Sequence, residues 1–334
     1  TQSSRKGKPN ENFARELLEL HTLGASNYLN DRHTDWQSVP KSAEGLAQGY
    51  LDLDVYEVAR AFTGWSVGDG RWLSEGTNAA KTGVFDYIEA WHDPYQKRIL
   101  GVEFAPNRAP MADGEQVLDM LASHPGTARF VCTKIARRLL TDDPEAALVD
   151  ALATVFLATI DAPDQIAQVI RALVAHPSSG ATPPGKLRRP FEFMAALYRA
   201  TGAEITGAEN AQHYQLMRAG WRQHEYGPPT GHPDTTAKWT GASSLNRLID
   251  FALYAHDEEN GVASCDLATH EDAESVGQFL ARWSAKLGSD MPGLAETMQM
   301  DAKLPTSDLS VNDRKSAAAV AIAFAALTPQ FLLR

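Results

Sequence analysis

Three groups of residues in this 334-residue chain combine side chains and spacing that could do chemistry. Glu16 and Glu19 stand three apart in a stretch with helical spacing, so both carboxylates lie on one face. There they could ligate a divalent metal or divide acid and base roles, given a shift in one pKa. His92-Asp93 sets an imidazole beside a carboxylate, a pair suited to a transition ion or to proton transfer. His232 and Asp234 flank Pro233 in a Gly/Pro-rich segment that also carries His224 and Tyr226. The full candidate metal set is Glu16, Glu19, His92, Asp93, His232 and Asp234, with the first four as catalytic candidates.

Each group also has a structural reading. Arg15 lies four residues after Glu11 and four before Glu19, which allows an ion-pair ladder along the helix. Asp93-Pro94 is an ordinary turn opening. His124-Pro125 and His176-Pro177 each close a helical pattern, where an imidazole can cap the last carbonyls. Arg129, Lys134, Arg137 and Arg138 form a basic helical face, and Lys186, Arg188 and Arg189 a basic turn; in an acidic chain they are expected to complement local carboxylates.

The elements that must position these residues are mostly helices. Capping residues, apolar periodicity and Gly or Pro stops mark helices at 10–24, 52–63, 110–123, 127–140, 144–160, 163–175, 189–200, 208–221, 243–256, 273–287 and 315–327. Short connectors between them predict antiparallel neighbours. Two β-rich runs, 84–88 and 98–104, read as one hairpin or flap around Trp91-His92-Asp93-Pro94. Residues 224–239 hold Gly227, Pro228, Pro229, Gly231 and Pro233 and predict an ordered loop folded over the first helix. The expected fold is mainly α, a multi-helix bundle of antiparallel hairpins with a small β-hairpin insertion near 82–104. It forms one helical domain over 1–334, or two packed lobes, 1–178 and 186–334, joined by the Pro/Gly/Ser-rich loop 178–185.

Composition narrows the function. Thirty-one Lys and Arg against 42 Asp and Glu give a net charge of −11, which repels a phosphate backbone, so nucleic acid is not an expected partner. No apolar run reaches the roughly 18 residues of a spanning helix. Cys132 and Cys265 show no spacing signature and are expected as unpaired thiols. A Gly-Xaa-Ser-Xaa-Gly elbow, a His-Glu-Xaa-Xaa-His helix, a phosphate-binding Gly loop and a Cys-Xaa-Xaa-Cys pair are all missing from the sequence.

Residues 10–24, Asn-Glu-Asn-Phe-Ala-Arg-Glu-Leu-Leu-Glu-Leu-His-Thr-Leu-Gly, resemble the signature of the bacterial domain of unknown function 1800 family. Further landmarks similar to that family follow in order. They are Glu57 to Trp65; His92-Asp93 with Lys97 and Leu100-Gly101; His124-Pro125 with Arg129-Phe130; His176-Pro177-Ser178; Lys186 with Arg189-Pro190-Phe191; Gly227 to Asp234; and the closing Leu327 to Phe331. The family often carries Phe where His21 stands. The resemblance implies a chain lacking an upstream helical portion, which would be its natural partner, and a periplasmic or extracellular setting. It implies no activity or cofactor.

The leading expectation is an enzyme-like cleft in which these carboxylates and histidines hold a divalent metal for hydrolytic or oxidative chemistry on an extracellular substrate. The alternative is a non-catalytic surface-assembly or secretion-associated module that meets an extracellular polymer or protein, its polar residues forming buried networks.

Overall fold

A computed structural model describes residues 4–74, 77–181, 185–205, 211–255, 263–268, 275–289, 293–301 and 310–334. Residues 182–184 of the expected connector, and the ends of expected helices at 208–210, 256 and 273–274, lie outside the described residues. The chain divides into two compact units, Thr1–Ala136 with Pro144–Ser179, and Arg137–Asp143 with Gly180–Arg334.

The first unit begins with α1 (Glu11–Glu16), where the Asn10 side chain accepts from the Phe13 amide and Glu11 sits at the positive helix end. The helix continues as a π-type turn over Leu17–Thr22, in which the Thr22 hydroxyl donates to the Leu17 carbonyl at 2.7 Å. Gly24 stops it at φ +87°; a Cβ there would meet the Phe130 ring at 2.6 Å, so the position needs glycine on two grounds. α2 (Asp52–Ala61) packs against α1, and Ala14, Leu18, Val55, Val58 and Phe62 enter the unit's core.

Four strands follow: β1 (Trp65–Asp69), β2 (Trp72–Ser74), β3 (Thr77–Asn78) and β4 (Lys81–Tyr87). β1 pairs antiparallel with β4 and β2 with β3, as two separate two-stranded sheets. β5 (Lys97–Ile99) and β6 (Val102–Phe104) form a separate hairpin. This corrects the expected pairing, because 84–88 joins Trp65–Asp69 and the run 98–104 folds back on itself. The reason is Leu100-Gly101, both left-handed at φ +51° and +86°, a two-residue hairpin turn. Leucine gives no turn signal, and the conformation is held from outside by the Asp54 carboxylate, which accepts from the Leu100 amide at 2.7 Å. At Gly101 a Cβ would lie 2.0 Å from the Ser42 carbonyl oxygen.

The unit is completed by α3 (Ala112–Ala122), α4 (Pro125–Leu139), α5 (Ala146–Ala158), α6 (Gln165–Ala175) and the short α7 (Pro177–Ala181). The last turn of α4 and the last two residues of α7 are counted with the second unit. α5 and α6 pack on each other. Pro177–Ala181 is helical where a linker was expected.

The second unit contains α8 (Pro190–Thr201), α9 (Ala211–Arg218), α10 (Ala242–Tyr254), α11 (Val276–Lys286), α12 (Leu294–Asp301), α13 (Val311–Ala326) and α14 (Pro329–Leu332). Its core gathers Phe193, Leu197, Phe251, Leu280, Trp283 and the alanine-rich face of α13. The protein is mainly α, as its periodicity predicts. No helix among the described residues is long and apolar enough to cross a membrane.

Candidate functional site

In the first unit the sequence candidates fall in two places. Glu16 ends α1 and Glu19 lies on the π-type turn, both half-buried and neither side chain with a hydrogen bond or ion pair among the described residues. The expected ladder does not form. Arg15 instead donates to Asp52 at 2.9 Å, an acceptor that Tyr28 and Asn30 also reach, so a fixed partner from the next helix displaces the local one. Tyr50 is fully buried, and its hydroxyl has no hydrogen-bond partner among the described residues. Burial, assisted by the charge of Glu19, pushes that hydroxyl up to about 12.

His92 and Asp93 sit between β4 and β5 in a buried ionic network. Arg60 of α2 grips Asp93 with two bonds, Nε to Oδ2 at 2.9 Å and Nη2 to Oδ1 at 3.2 Å, while its Nη1 meets Glu57 at 2.7 and 2.9 Å. Thr63 ties the strand down, its hydroxyl accepting from the Asp93 amide at 2.7 Å. Lys97, only 2% exposed, donates to the Asp93 and Tyr95 carbonyls at 2.6 and 2.9 Å and to Asp113 Oδ2 at 2.6 Å. Asp113, in the first turn of α3, also pairs with Arg108 at 3.1 Å and faces His92 Nε2 at 3.4 Å. His92 Nδ1 lies 2.9 Å from the Thr63 carbonyl, an acceptor that requires the proton on Nδ1.

The electrostatics follow from these contacts. Burial works to raise the Asp93 carboxyl, and Arg60, the Tyr95 amide and Lys97 together outweigh it, leaving Asp93 below the ordinary range. Asp113 is likewise held low against burial by His92 and Lys97. The hydrogen bond to Asp93 leads in raising Arg60. Asp54 is the exception: burial dominates and lifts it, although it accepts from the Leu51 and Leu100 amides.

His232 and Asp234 belong to the second unit. His232 stacks on Trp221, with ring centroids 4.2 Å apart and planes 11° apart, and its Nε2 is 2.8 Å from the Arg222 carbonyl. Tyr226 and Trp239 flank it, which orders the Pro/Gly loop. That loop contains only a 3-10 turn at Thr236–Lys238. Asp234 enters a second ionic cluster. Its Oδ1 lies 3.5 Å from Lys186 and Arg189 and 3.7 Å from Arg138. Lys186 also pairs with Asp142 at 2.7 Å, and Arg138, Arg189 and Arg334 all meet Oε1 of Glu192.

Sequence spacing missed Lys97 and Asp113 as a pair, because sixteen residues separate them. Glu192 had a readable signal, an acid three residues after Arg189 at a helix start, and it does accept from the Arg189 amide at 3.0 Å. The two helix-closing histidines act on the following helix instead of the preceding one. His124 Nδ1 accepts from the Gly126 amide at 2.9 Å and His176 Nδ1 from the Ser178 amide at 3.3 Å. Burial lowers the pKa of His124 and favours the neutral ring that can accept. Both cysteines are free thiols, and burial raises Cys132 to about 11. Among the described residues no three His, Cys, Asp or Glu side chains gather to hold a metal ion.

The family model described as "Protein of unknown function (DUF1800)" matches residues 1–333, a span that takes in all of the sequence landmarks, and gives no support to an absent upstream portion. No curated protein matches the chain, and no solved structure does.

Proposed function

The chain belongs to the DUF1800 family, and from there we propose that it works by binding, as a non-catalytic surface-assembly or secretion-associated module outside the cytoplasm. One observation carries this reading: His92 and Asp93, the sharpest catalytic candidates, are consumed by internal partners. Asp93 is gripped by Arg60, and Asp113 satisfies Lys97 and Arg108. A carboxylate so paired is a poor base and a poor metal ligand, since charge-assisted bonds must break before it acts. The β1–β4 and β2–β3 pairs offer the partner surface. They expose Val67, Trp72, Val84 and Phe85, and the outer backbone edges of β1 and β4 are a template for a protein partner's strand.

The test is elemental analysis of protein purified without chelator, alongside His92→Ala. The reading expects metal well below one equivalent per chain and a variant that melts lower. Stoichiometric metal that disappears in His92→Ala would overturn it.

One observation favours the metal-dependent enzyme, in which Glu16, Glu19, His92, Asp93, His232 and Asp234 serve a hydrolytic or oxidative reaction: the Glu16 and Glu19 side chains are half-buried and uncommitted, and the charge of Glu19 acts on the unpartnered Tyr50 hydroxyl. On that reading Glu16→Gln removes metal or activity and leaves the melting temperature nearly unchanged.

A further inference from the structure

The second unit's ionic cluster is unbalanced. Its cations are Arg138, Lys186, Arg188, Arg189 and Arg334; its carboxylates are Asp142, Glu192 and Asp234. Five of these side chains are positive and three negative, in a chain whose net charge is −11. The groups are close. Three guanidinium groups share the single oxygen Oε1 of Glu192, and Arg138, Arg189 and Lys186 share Oδ1 of Asp234.

Their hydrogen bonding is incomplete as well. Nε of Arg189 and Nε of Arg334 are buried and have no acceptor among the described residues. Arg188 spends its Nη1 on the carbonyls of Phe331 and Leu333, not on a carboxylate. Burial lowers Arg188 and Arg334, and the cations reinforce it: Arg334 acts on Arg188, and Arg138 and Arg189 act on Arg334. Placing like charges together without enough counter-charge is costly, and a bound anion removes the cost.

The geometry points to an oxyanion site at this cluster, one that takes a doubly charged tetrahedral anion of the phosphate class. The several oxygens of that anion suit planar guanidinium donors whose Nε–H groups are idle. Glu192 and Asp234 stay in place as the frame, each bridging several cations. A free anion fits better than a headgroup fixed in a bilayer, because Lys186 and Arg189 are only 2% and 11% exposed at their side chains.

Isothermal titration of the whole chain with inorganic phosphate, at ionic strength held constant with chloride, tests this. One saturable phosphate per chain is expected, with acetate binding at least about tenfold more weakly, a difference of about 1.4 kcal/mol. Arg189→Gln and Arg334→Gln should each weaken phosphate binding about tenfold or more, while Arg129→Gln, which removes a pair with Asp150 in the other unit, leaves it unchanged. Melting curves of each variant show whether it is folded, and the wild-type titration stands by itself if one is not. No saturable heat over chloride, equal binding of acetate, or unchanged affinity in both cluster variants would overturn the site. Stronger retention on phosphatidic-acid vesicles than inorganic phosphate can compete away would overturn its assignment to a free anion.

Discussion

The two ionic clusters use the same residue types and differ in their sums. In the first unit Glu57, Asp93 and Asp113 face Arg60, Lys97 and Arg108, three against three, and Lys97 finds three oxygen acceptors within 2.9 Å. In the second, five cations face three carboxylates and guanidinium donors are left over. A fold can keep a balanced, fully bonded set for its own purposes, because breaking any member strands a buried charge. A surplus is different: it is relieved by something the chain does not itself supply. The comparison assigns the first cluster to architecture and the second to recognition.

The largest effect should come from breaking the balanced set. Lys97→Met leaves Asp113 buried with one fewer cation and empties two carbonyl contacts, so it should cost about 3–5 kcal/mol in denaturant melts. A loss below about 1 kcal/mol would put this network in the class of surface ion pairs.

Acid should act next. Asp93 and Asp113 have folded-state pKa values below their unfolded ones, so their contribution is fully present above the unfolded value of about 3.9 and is lost as pH falls through the folded values. Asp54 has the opposite sign: its raised carboxyl costs stability when ionised, and that cost is relieved as pH falls. Wild-type stability should therefore decline steeply only below about pH 4, by about 1–3 kcal/mol, and Asp93→Asn should flatten that decline. An equal decline in the variant would show that other carboxylates carry the acid response.

The smallest effect belongs to the surplus. Arg334→Gln removes one of several like charges, and the repulsion it relieves offsets the bond it loses to Glu192, so stability should change by less than about 1 kcal/mol. A loss as large as that of Lys97→Met would make Arg334 structural and erase the distinction between the clusters.

These outcomes track what the sequence could and could not reveal. Helices were legible because their ends are encoded locally: Asn10 caps α1, Gly24 stops it, and Gly202 closes α8 in a left-handed conformation. Strand pairing was not, since Leu100 adopts positive φ only because Asp54, 46 residues earlier, holds its amide. Spacing suggested Arg15 would bond along its own helix, but Asp52, 37 residues on, is fixed by Tyr28 and Asn30 and wins. The same limit applies to the site. His92, Asp93, His232 and Asp234 were found by type, whereas most of the partners that decide their roles, Arg60, Lys97, Asp113 and Arg334, come from other elements and leave no trace in spacing; Glu192, three residues after Arg189 at a helix start, is the exception.

The central claim, that the His92-Asp93 region is architecture, rests on Lys97 and Asp113 acting as a unit. A double-mutant cycle of Lys97→Met, Asp113→Asn and the combined variant, read by denaturant unfolding, measures this directly. The account predicts a coupling of about 2–3 kcal/mol, with the double variant losing clearly less than the sum of the singles, because removing both charges strands neither. Losses that add within about 0.5 kcal/mol would contradict it.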